Sequence, residues 1–546
     1  MGVLVLGRFK AVGVVICSVC RSSAARAVSH VLGGYVRTSR PRPRHTHPAN
    51  KSTSMMWSPL AALCLSAVLL GPAAAQFQPH CDDRQVIVHL FEWKWTDIAA
   101  ECERYLAGAG YCGVQVSPPN EHVLVTGEGG EYPHPWWDRY QPVSYRLESR
   151  SGSEDQFRDM VARCNAVGVR IYVDAVLNHM AGLGRSGQGI AGSSFNSDDH
   201  DFPAVPYTVD DFNPRSKCPS TDGNVNNYSD MDNVKNCTLV GLTDLDQSLP
   251  HTQERIVDYL NRLVDMGVSG FRFDASKHMW PDDLAVIIDR LNNVGDSKPF
   301  IFHEVIDRND GAVTVQQYYD IGRPTEFRYP MKIAWGIKDF NQLSNVVDYG
   351  WGMAESDKAF VFVDNHDTQR GHAGNADVIT HQTPKEYKQG VAFMLAYPYG
   401  FTRVMSSYYF GDDTDQGPPH NDDWSTADVV INDDGSCGGG WVCEHRWPAI
   451  SNMVTFRNAV TGTEMANYWN NGQAVAFSRG QVGFFAMAKG SSMHEHLQTG
   501  LPTGSYCNLI DNCATTVEVN GDGSADINID NDEQPILAIC VGCEQN

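Results

Sequence analysis

Gly270-Phe-Arg-Phe-Asp-Ala-Ser-Lys-His-Met-Trp280 begins as a strand and ends in polar residues. Phe271 and Phe273 fall on one face, Arg272 and Asp274 on the other. Each charge on a buried strand would carry a large desolvation penalty. A strand end that lines a polar site accounts for both. For one strand alone, a structural Arg–Asp pair accounts for them equally well.

Three further stretches decide between these readings. Arg170-Ile-Tyr-Val-Asp174-Ala-Val-Leu-Asn178-His179 is an apolar strand that runs out into Asp, Asn and His. Phe300-Ile-Phe-His303-Glu304 does the same with Glu, and Phe360-Val-Phe-Val-Asp364-Asn365-His366-Asp367 with Asp. Four strands in chain order with carboxylates at their C-terminal ends describe the top of a parallel (β/α)8 TIM barrel. That is an α/β fold whose loops build the site.

Working outward, Gln85–Phe91 is a continuous apolar run, as buried parallel strands are, and Gly113–Ser117 is the second strand. Helical spacing covers 96–109, 154–167, 252–266, 282–291, 385–395 and 450–459, and another strand lies near 402–405. Segments over 320–350 show no clear pattern. The alternation stops over 178–246, which is rich in Gly, Ser, Asn and Asp. Beyond about 470 only short alternating runs with Gly/Asn/Asp turns appear, which predicts a small antiparallel β domain.

At 546 residues the chain is long enough for two or three domains. Its net charge of −23 argues against nucleic acid or an anionic membrane as partner, whereas a neutral polymer is indifferent to an acidic surface. Met56–Leu70 followed by Ala73-Ala-Ala75 has the short apolar core and small-residue cleavage site of a secretory signal, too short to span a bilayer. Residues 1–55 precede it, which reads as a non-native leader or gene-model extension, the alternative being an internally placed or transit-like signal. Residues 1–75 hold nine of the 42 basic residues and none of the acids, so the remainder carries −32. Of 15 cysteines, 12 follow residue 75, an even number suited to disulfides in a secreted chain.

The motifs DAVLNH, GFRFDASKH, HEVID and FVDNHD resemble, in this order, the four signature regions of the α-amylase family of glycoside hydrolases. HLFEWKW, GFTRVMSSY and WVCEHRW resemble its animal, chloride-dependent members, from about Gln76 to near the C-terminus. The resemblance implies a barrel over 76–177 and 247–469, an inserted calcium-binding domain over 178–246, and a C-terminal β-sandwich over 470–546. It implies a secreted, monomeric, endo-acting α-1,4-glucan hydrolase of starch and glycogen. The alternatives are an exo-α-glucosidase or glucan transferase of the same clan, and a non-catalytic glycan-binding relative. It also pairs Cys102 with Cys164, Cys218 with Cys237, Cys437 with Cys443 and Cys507 with Cys513. Cys81, Cys112, Cys540 and Cys543 stay unassigned, with a metal site a lesser alternative.

Residue by residue, the match makes Asp274 the nucleophile, Glu304 the acid/base, and Asp367 the stabiliser of the oxocarbenium-like transition state. Like charges crowded in one cleft raise at least one pKa, which would keep Glu304 protonated near neutrality while Asp274, beside Arg272, stays charged. His179, His366 and Lys277 would hydrogen-bond sugars, and Trp136, Trp137 and Tyr140 would stack on them. Gln141, Asp174, Tyr228, His278 and His372 complete the implied substrate contacts. Calcium would take the side chains of Asn178 and Asp244 and the carbonyls of Lys235 and His278. Asp232 and Asp246 read as turn acids. Chloride, an activator, would sit among Arg272, Asn365 and Arg403, a set made only of donors.

Two departures point to an invertebrate type. The glycine-rich loop of vertebrate members is shortened to Arg370–Asn375, and Glu148 stands where a cysteine is expected. Asn227-Tyr-Ser229 and Asn236-Cys-Thr238 are glycosylation sequons, the second crowded by a disulfide and the expected calcium site.

Overall fold

The computed structural model describes residues 77–543, apart from 128–129, 375–376 and 491–492. The expected leader and signal over 1–75 lie outside the described residues. Among the described residues, no helix is long and apolar enough to cross a membrane.

Eight parallel strands form the central sheet: β1 (Val86–Leu90), β2 (Gly113–Val116), β3 (Arg170–Ala175), β4 (Gly270–Phe273), β5 (Phe300–His303), β6 (Arg323–Pro324), β7 (Phe360–Val361) and β8 (Phe401–Ser406). Their order is β6-β5-β4-β3-β2-β1-β8-β7. A parallel bridge between Thr325 and Phe360 joins the outermost strands and closes the barrel.

Alternation along the strands builds the interior in layers. At the bottom, Ile87, Tyr172, Phe300, Phe302, Phe360 and Phe401 pack together, with Phe302 stacked on Phe360 at 4.2 Å. Gly270 belongs to this crowded layer, where an added Cβ would collide with the carbonyl of Phe300. Further along the strands the interior turns polar, with His89, Gln115, Asp174, Arg272 and Arg403 all buried. Phe271 and Phe273, on the other face of β4, join the main core instead.

The helices follow the apolar spacing: Glu154–Ala166, Pro250–Asp265, Pro281–Asp289, Pro384–Ala396 and Pro448–Ala459. The last four open on proline, whose missing N–H is no loss in a first turn. The helix read over 96–109 is an α-helix, Trp95–Glu101, that continues as a wider π turn, Cys102–Leu106. The unclear stretch over 320–350 contains helix Arg328–Lys338.

Within 178–246, His179–Gly182 pairs with Leu242–Asp244, and a small core forms around Met180, Phe195, Phe202, Tyr207, Phe212 and Leu245. Toward the C-terminus, Met465–Asn470, Ala474–Arg479, Gly483–Ala488 and Ile536–Cys540 make a four-stranded antiparallel sheet. It starts ahead of the expected boundary at 470. Two antiparallel pairs, Met493–Gln498 with Ser524–Ile529 and Gly504–Cys507 with Thr516–Val519, share a core with it.

The four disulfides implied by the resemblance are present. Cys81–Cys112 and Cys540–Cys543 account for the four unassigned cysteines and remove the metal alternative.

Candidate active site

Strand register brings the acids together. Asp174 on β3 lies opposite Arg272 on β4, and Phe273 opposite His303 on β5. The next residues, Asp274 and Glu304, therefore leave the barrel side by side. Their backbones continue the ladder, Asp274 N–H to Ala175 and Glu304 N–H to Phe273, each at 3.0 Å. Ala275 then turns the chain with a left-handed φ of 48° and donates its N–H to Glu304 Oε2 at 2.8 Å. Asp367 arrives from the segment after β7. All three line one cleft of about 600 Å³.

Arg272 is the shared counter-charge. Its Nη1 reaches Asp174 at 2.6 Å and Asp274 at 2.8 Å, and its Nη2 lies 2.6 Å from Glu304 Oε1. The Glu304 contact is an oblique ion pair, not a linear hydrogen bond. One guanidinium thus faces three carboxylates, with Asp367 close by. Burial pushes Asp274 well above its ordinary value, and Arg272 offsets this only in part. The expectation that Asp274 stays charged counted Arg272 as its own, whereas Arg272 is divided among three acids. Burial, and then the charge of Glu304, push Asp367 up to about 7.

Around the acids, Trp136, Trp137, Tyr140, His179 and Tyr228 line the cleft, as do Lys277, His278 and His366. Burial pulls His179 down to about 4 and His278 to about 3, so both imidazoles are neutral. His366 is sandwiched between Phe91 and Tyr140 at 5.0 and 5.2 Å, with Nε2 3.4 Å from Asp367. Lys277 Nζ donates to the Ile306 carbonyl and lies 4.7 Å above the Tyr228 ring. Trp136 is only 5% exposed, so Trp137 presents more ring to the cleft, one face being covered by Arg185 at 5.6 Å.

Asp174 and Gln141 are not among the lining residues. Asp174 is fully buried under the floor, held by Arg272 and by the Tyr140 hydroxyl at 2.9 Å. Gln141 Oε1 accepts the Gly182 N–H at 2.9 Å and braces the 178–246 segment. Both belong to the scaffold beneath the cleft. His372 packs edge-on to Trp136 at 5.4 Å, beside the lining residues Ala373 and Gly374.

The expected calcium ligands fit a hard cation. Asn178 is fully buried and its Oδ1 has no hydrogen-bond partner among the described residues. Asp244 pairs across from His179, and burial pushes its carboxyl well up, with only the Asn213 amide (2.7 Å) as a side-chain donor. Lys235 lies in helix Met231–Asn236, which is locked to the turn after β4. His278 Nδ1 meets the Val234 carbonyl at 2.8 Å, and Lys235 Nζ meets the Met279 carbonyl at 2.7 Å. Asp246 instead pairs with Lys217 at 2.6 Å, and Asp232 is exposed in a helix first turn. An orphaned amide oxygen, one buried carboxylate and two carbonyls form a hard-oxygen set.

The expected anion site also fits. Arg403 is 1% exposed, and its Nε and Nη2 have no acceptor among the described residues, while Nη1 donates to Gln115 at 2.7 Å. Burial, and then the neighbouring Arg272, pull its guanidinium down to about 10. Asn365 Nδ2 lies 3.4 Å from Asp367, which ties this pocket to the acids.

Sequence reasoning missed Leu239, Val240 and Leu242 on one wall, and Ile306, Arg308 and Asp310 on another. In the second group Ile306 lies within the quoted HEVID motif, and Arg308 and Asp310 come directly after it, so this wall could have been found by reading on. The first had no signal. Val240 is 84% exposed with a left-handed φ of 45°, a conformation rare for a β-branched residue.

Residues 139–300 match the family described as alpha amylase, catalytic domain. An alpha-amylase of Pecten maximus is 48% identical over 506 residues, covering 89% of this chain and 98% of its own. An alpha-amylase of Tribolium castaneum is 48% identical over 507 residues, covering 89% and 100%. The crystal structure of wild-type alpha-amylase I from Eisenia fetida superposes with a TM-score of 0.79 at 45% identity, over 84% of this chain and 97% of that one. With three strand-end acids at one cleft and nearly half of its sequence shared with these enzymes over most of its length, the chain belongs to the animal α-amylases, glycoside hydrolases of the α-amylase family.

Proposed function

We propose that the chain is a secreted, monomeric, endo-acting enzyme that hydrolyses the α-1,4 links of starch and glycogen with retention at the anomeric carbon. The observation that carries this reading is the convergence of Asp274, Glu304 and Asp367 on one cleft around the shared Arg272. A related structure, a glutamate-to-glutamine variant of the Eisenia fetida enzyme, is a complex with maltohexaose, which supports a glucan chain as substrate.

Retention needs two carboxyl groups about 5–5.5 Å apart. In this reading Asp274 in its ionised form, with Arg272 as counter-charge at 2.8 Å, attacks the anomeric carbon. The bond to the leaving oxygen breaks as Glu304 gives that oxygen its proton, leaving a glycosyl ester on Asp274. Water, deprotonated by Glu304, then attacks the same carbon and releases Asp274. Two inversions give net retention. Asp367, when charged, stabilises the oxocarbenium-like transition states and binds ring hydroxyls. Neutral His179 and His366 both donate and accept hydrogen bonds without bringing a second charge.

Asn178, Asp244 and the carbonyls of Lys235 and His278 would hold a calcium ion that ties the inserted segment to the barrel; its role would be structural. Arg272, Asn365 and Arg403 would hold chloride, whose negative charge raises the proton affinity of nearby acids. Six disulfides among the described residues support an oxidising, extracellular setting.

The test is digestion of soluble starch. Mixed maltooligosaccharides should appear, and Asp274→Asn should abolish them. Activity surviving that substitution would remove the nucleophile assignment, and glucose as sole product would favour the exo-acting alternative.

A further inference from the structure

Two sequons fall among the described residues, Asn227-Tyr-Ser229 and Asn236-Cys-Thr238, and the fold treats them oppositely. Asn236 ends helix Met231–Asn236 and is half-buried, its Oδ1 accepting the Trp280 Nε1–H at 3.0 Å. The next residue, Cys237, is buried in the bridge to Cys218. The Thr238 hydroxyl is already engaged with the Gly223 carbonyl and the Asn224 side chain, both at 2.9 Å. A sugar on Asn236 would have to displace the indole and open a stapled segment.

Asn227 is different. Asn227, Tyr228 and Ser229 are all exposed. Asn227 Oδ1 accepts the Ser229 N–H at 3.2 Å, and Nδ2 makes no hydrogen bond among the described residues. Its backbone is nevertheless fixed, because Asn233 Oδ1 accepts the N–H groups of Asn226 and Asn227 at 2.9 and 2.7 Å. The position is also not neutral for the enzyme. Tyr228 lines the catalytic cleft under Lys277, and its carbonyl accepts the Ala312 N–H at 2.8 Å, beside the lining residues Arg308 and Asp310.

We propose that Asn227 is a glycosylation site that carries an N-linked oligosaccharide at the lip of the catalytic cleft, and that Asn236 stays unmodified. In the transfer, Asn227 Nδ2 attacks C1 of an oligosaccharide held on a lipid diphosphate. The N–C1 bond forms, the C1–O bond to the diphosphate breaks with its electron pair leaving on the phosphate oxygen, and Nδ2 loses one proton. The glycan is a large hydrophilic group that the folded chain accommodates at Asn227 only. It narrows the approach of a polymer more than that of a short oligosaccharide. The proposal rests on the chain entering the secretory pathway.

The full chain is produced in animal cells, once with its own N-terminus and once behind a foreign secretory signal, and its peptides are mapped by mass spectrometry before and after enzymatic deglycosylation. Glycopeptides should contain Asn227, disappear in both Asn227→Gln and Ser229→Ala, and persist in Asn236→Gln. Deglycosylation should lower KM for soluble starch and leave that for an aryl maltotrioside unchanged. Unmodified Asn227 in protein delivered by the foreign signal, or sugar on Asn236, overturns the assignment. An unchanged starch KM overturns its place at the lip. Asn227 modified only behind the foreign signal would instead sink the secreted reading and leave the site standing.

Discussion

Arg272 Nη2 stands 2.6 Å from Glu304 Oε1, while Nη1 of the same guanidinium serves Asp174 and Asp274. Arg272→Gln would leave three buried acids without the cation they share, with Arg403 nearby. Losing one partner of a buried pair costs about 3–5 kcal/mol, and urea unfolding should show a loss of that order. Arg272→Lys keeps the charge but not the fork, so its stability should fall between the two. Equal stability of Gln and Lys variants would mean that the charge is not what holds the floor together.

Glu304→Gln keeps the shape at Oε1 and removes the proton. General acid catalysis is worth about 10²–10⁴ in rate, so kcat on maltooligosaccharides should fall by that factor with KM little changed. An aryl maltoside with an acidic phenol leaves without protonation and should lose far less on its first bond cleavage. A parallel loss on both substrates would argue against Glu304 as the acid.

Asp367 has its carboxyl pushed up to about 7 by burial, against an ordinary 3.8. Stability that depends on its proton is fully present below about pH 4 and is lost as pH rises toward 7, since the unfolded chain ionises first. Activity runs the other way, because the charged form is the useful one, so kcat/KM should climb on an acid limb near pH 7. Arg370 acts on this limb. Its guanidinium lies 4.2–5.8 Å from the rings of Phe91, Trp136, Tyr408 and Phe410, its Nη1 donates to the His366 carbonyl at 3.0 Å, and its charge lowers the Asp367 value. Arg370→Met should move the limb to higher pH, and Arg370→Lys should largely restore it.

The barrel was legible because strand ends are written in period two: Asp174, Asp274 and Glu304 each follow an apolar run, and register does the rest. What was not legible depends on who else is nearby. Asp274 looked protected by Arg272 until Asp174 and Glu304 proved to share it. Leu239, Val240 and Leu242 reach the cleft through a loop whose path no periodicity encodes. The Cys81–Cys112 bridge had a readable cue, since both residues precede strands, β1 and β2, that pair side by side. The start of the last sheet at Met465 was not legible, because its first strand, MANYWN, carries a register shift between Ala466 and Trp469 and lacks clean alternation.

Two buried donor nitrogens of Arg403, Nε and Nη2, have no acceptor among the described residues, a costly state that a bound anion relieves. Enzyme dialysed free of halide should gain activity as NaCl is added, while Arg403→Gln should show a flat response. Nitrate tests the same pocket with a different anion. A wild type indifferent to chloride would refute the assignment.

Asn178 and Asp244 carry the corresponding prediction for calcium. An orphaned amide oxygen beside a buried carboxylate is unfavourable alone and favourable around a divalent cation. Chelation should therefore lower the melting temperature, and added calcium should restore it. An ion present at a hundred times its Kd contributes about 2.7 kcal/mol to a state that binds it alone. Asn178→Ala should abolish most of the calcium-dependent difference, and magnesium, which demands a tighter octahedron, should restore little of it. Because Lys235 and His278 would give only carbonyls, Lys235→Arg should leave the calcium dependence intact. If the melting temperature ignores both chelator and Asn178→Ala, these four groups do not bind a metal.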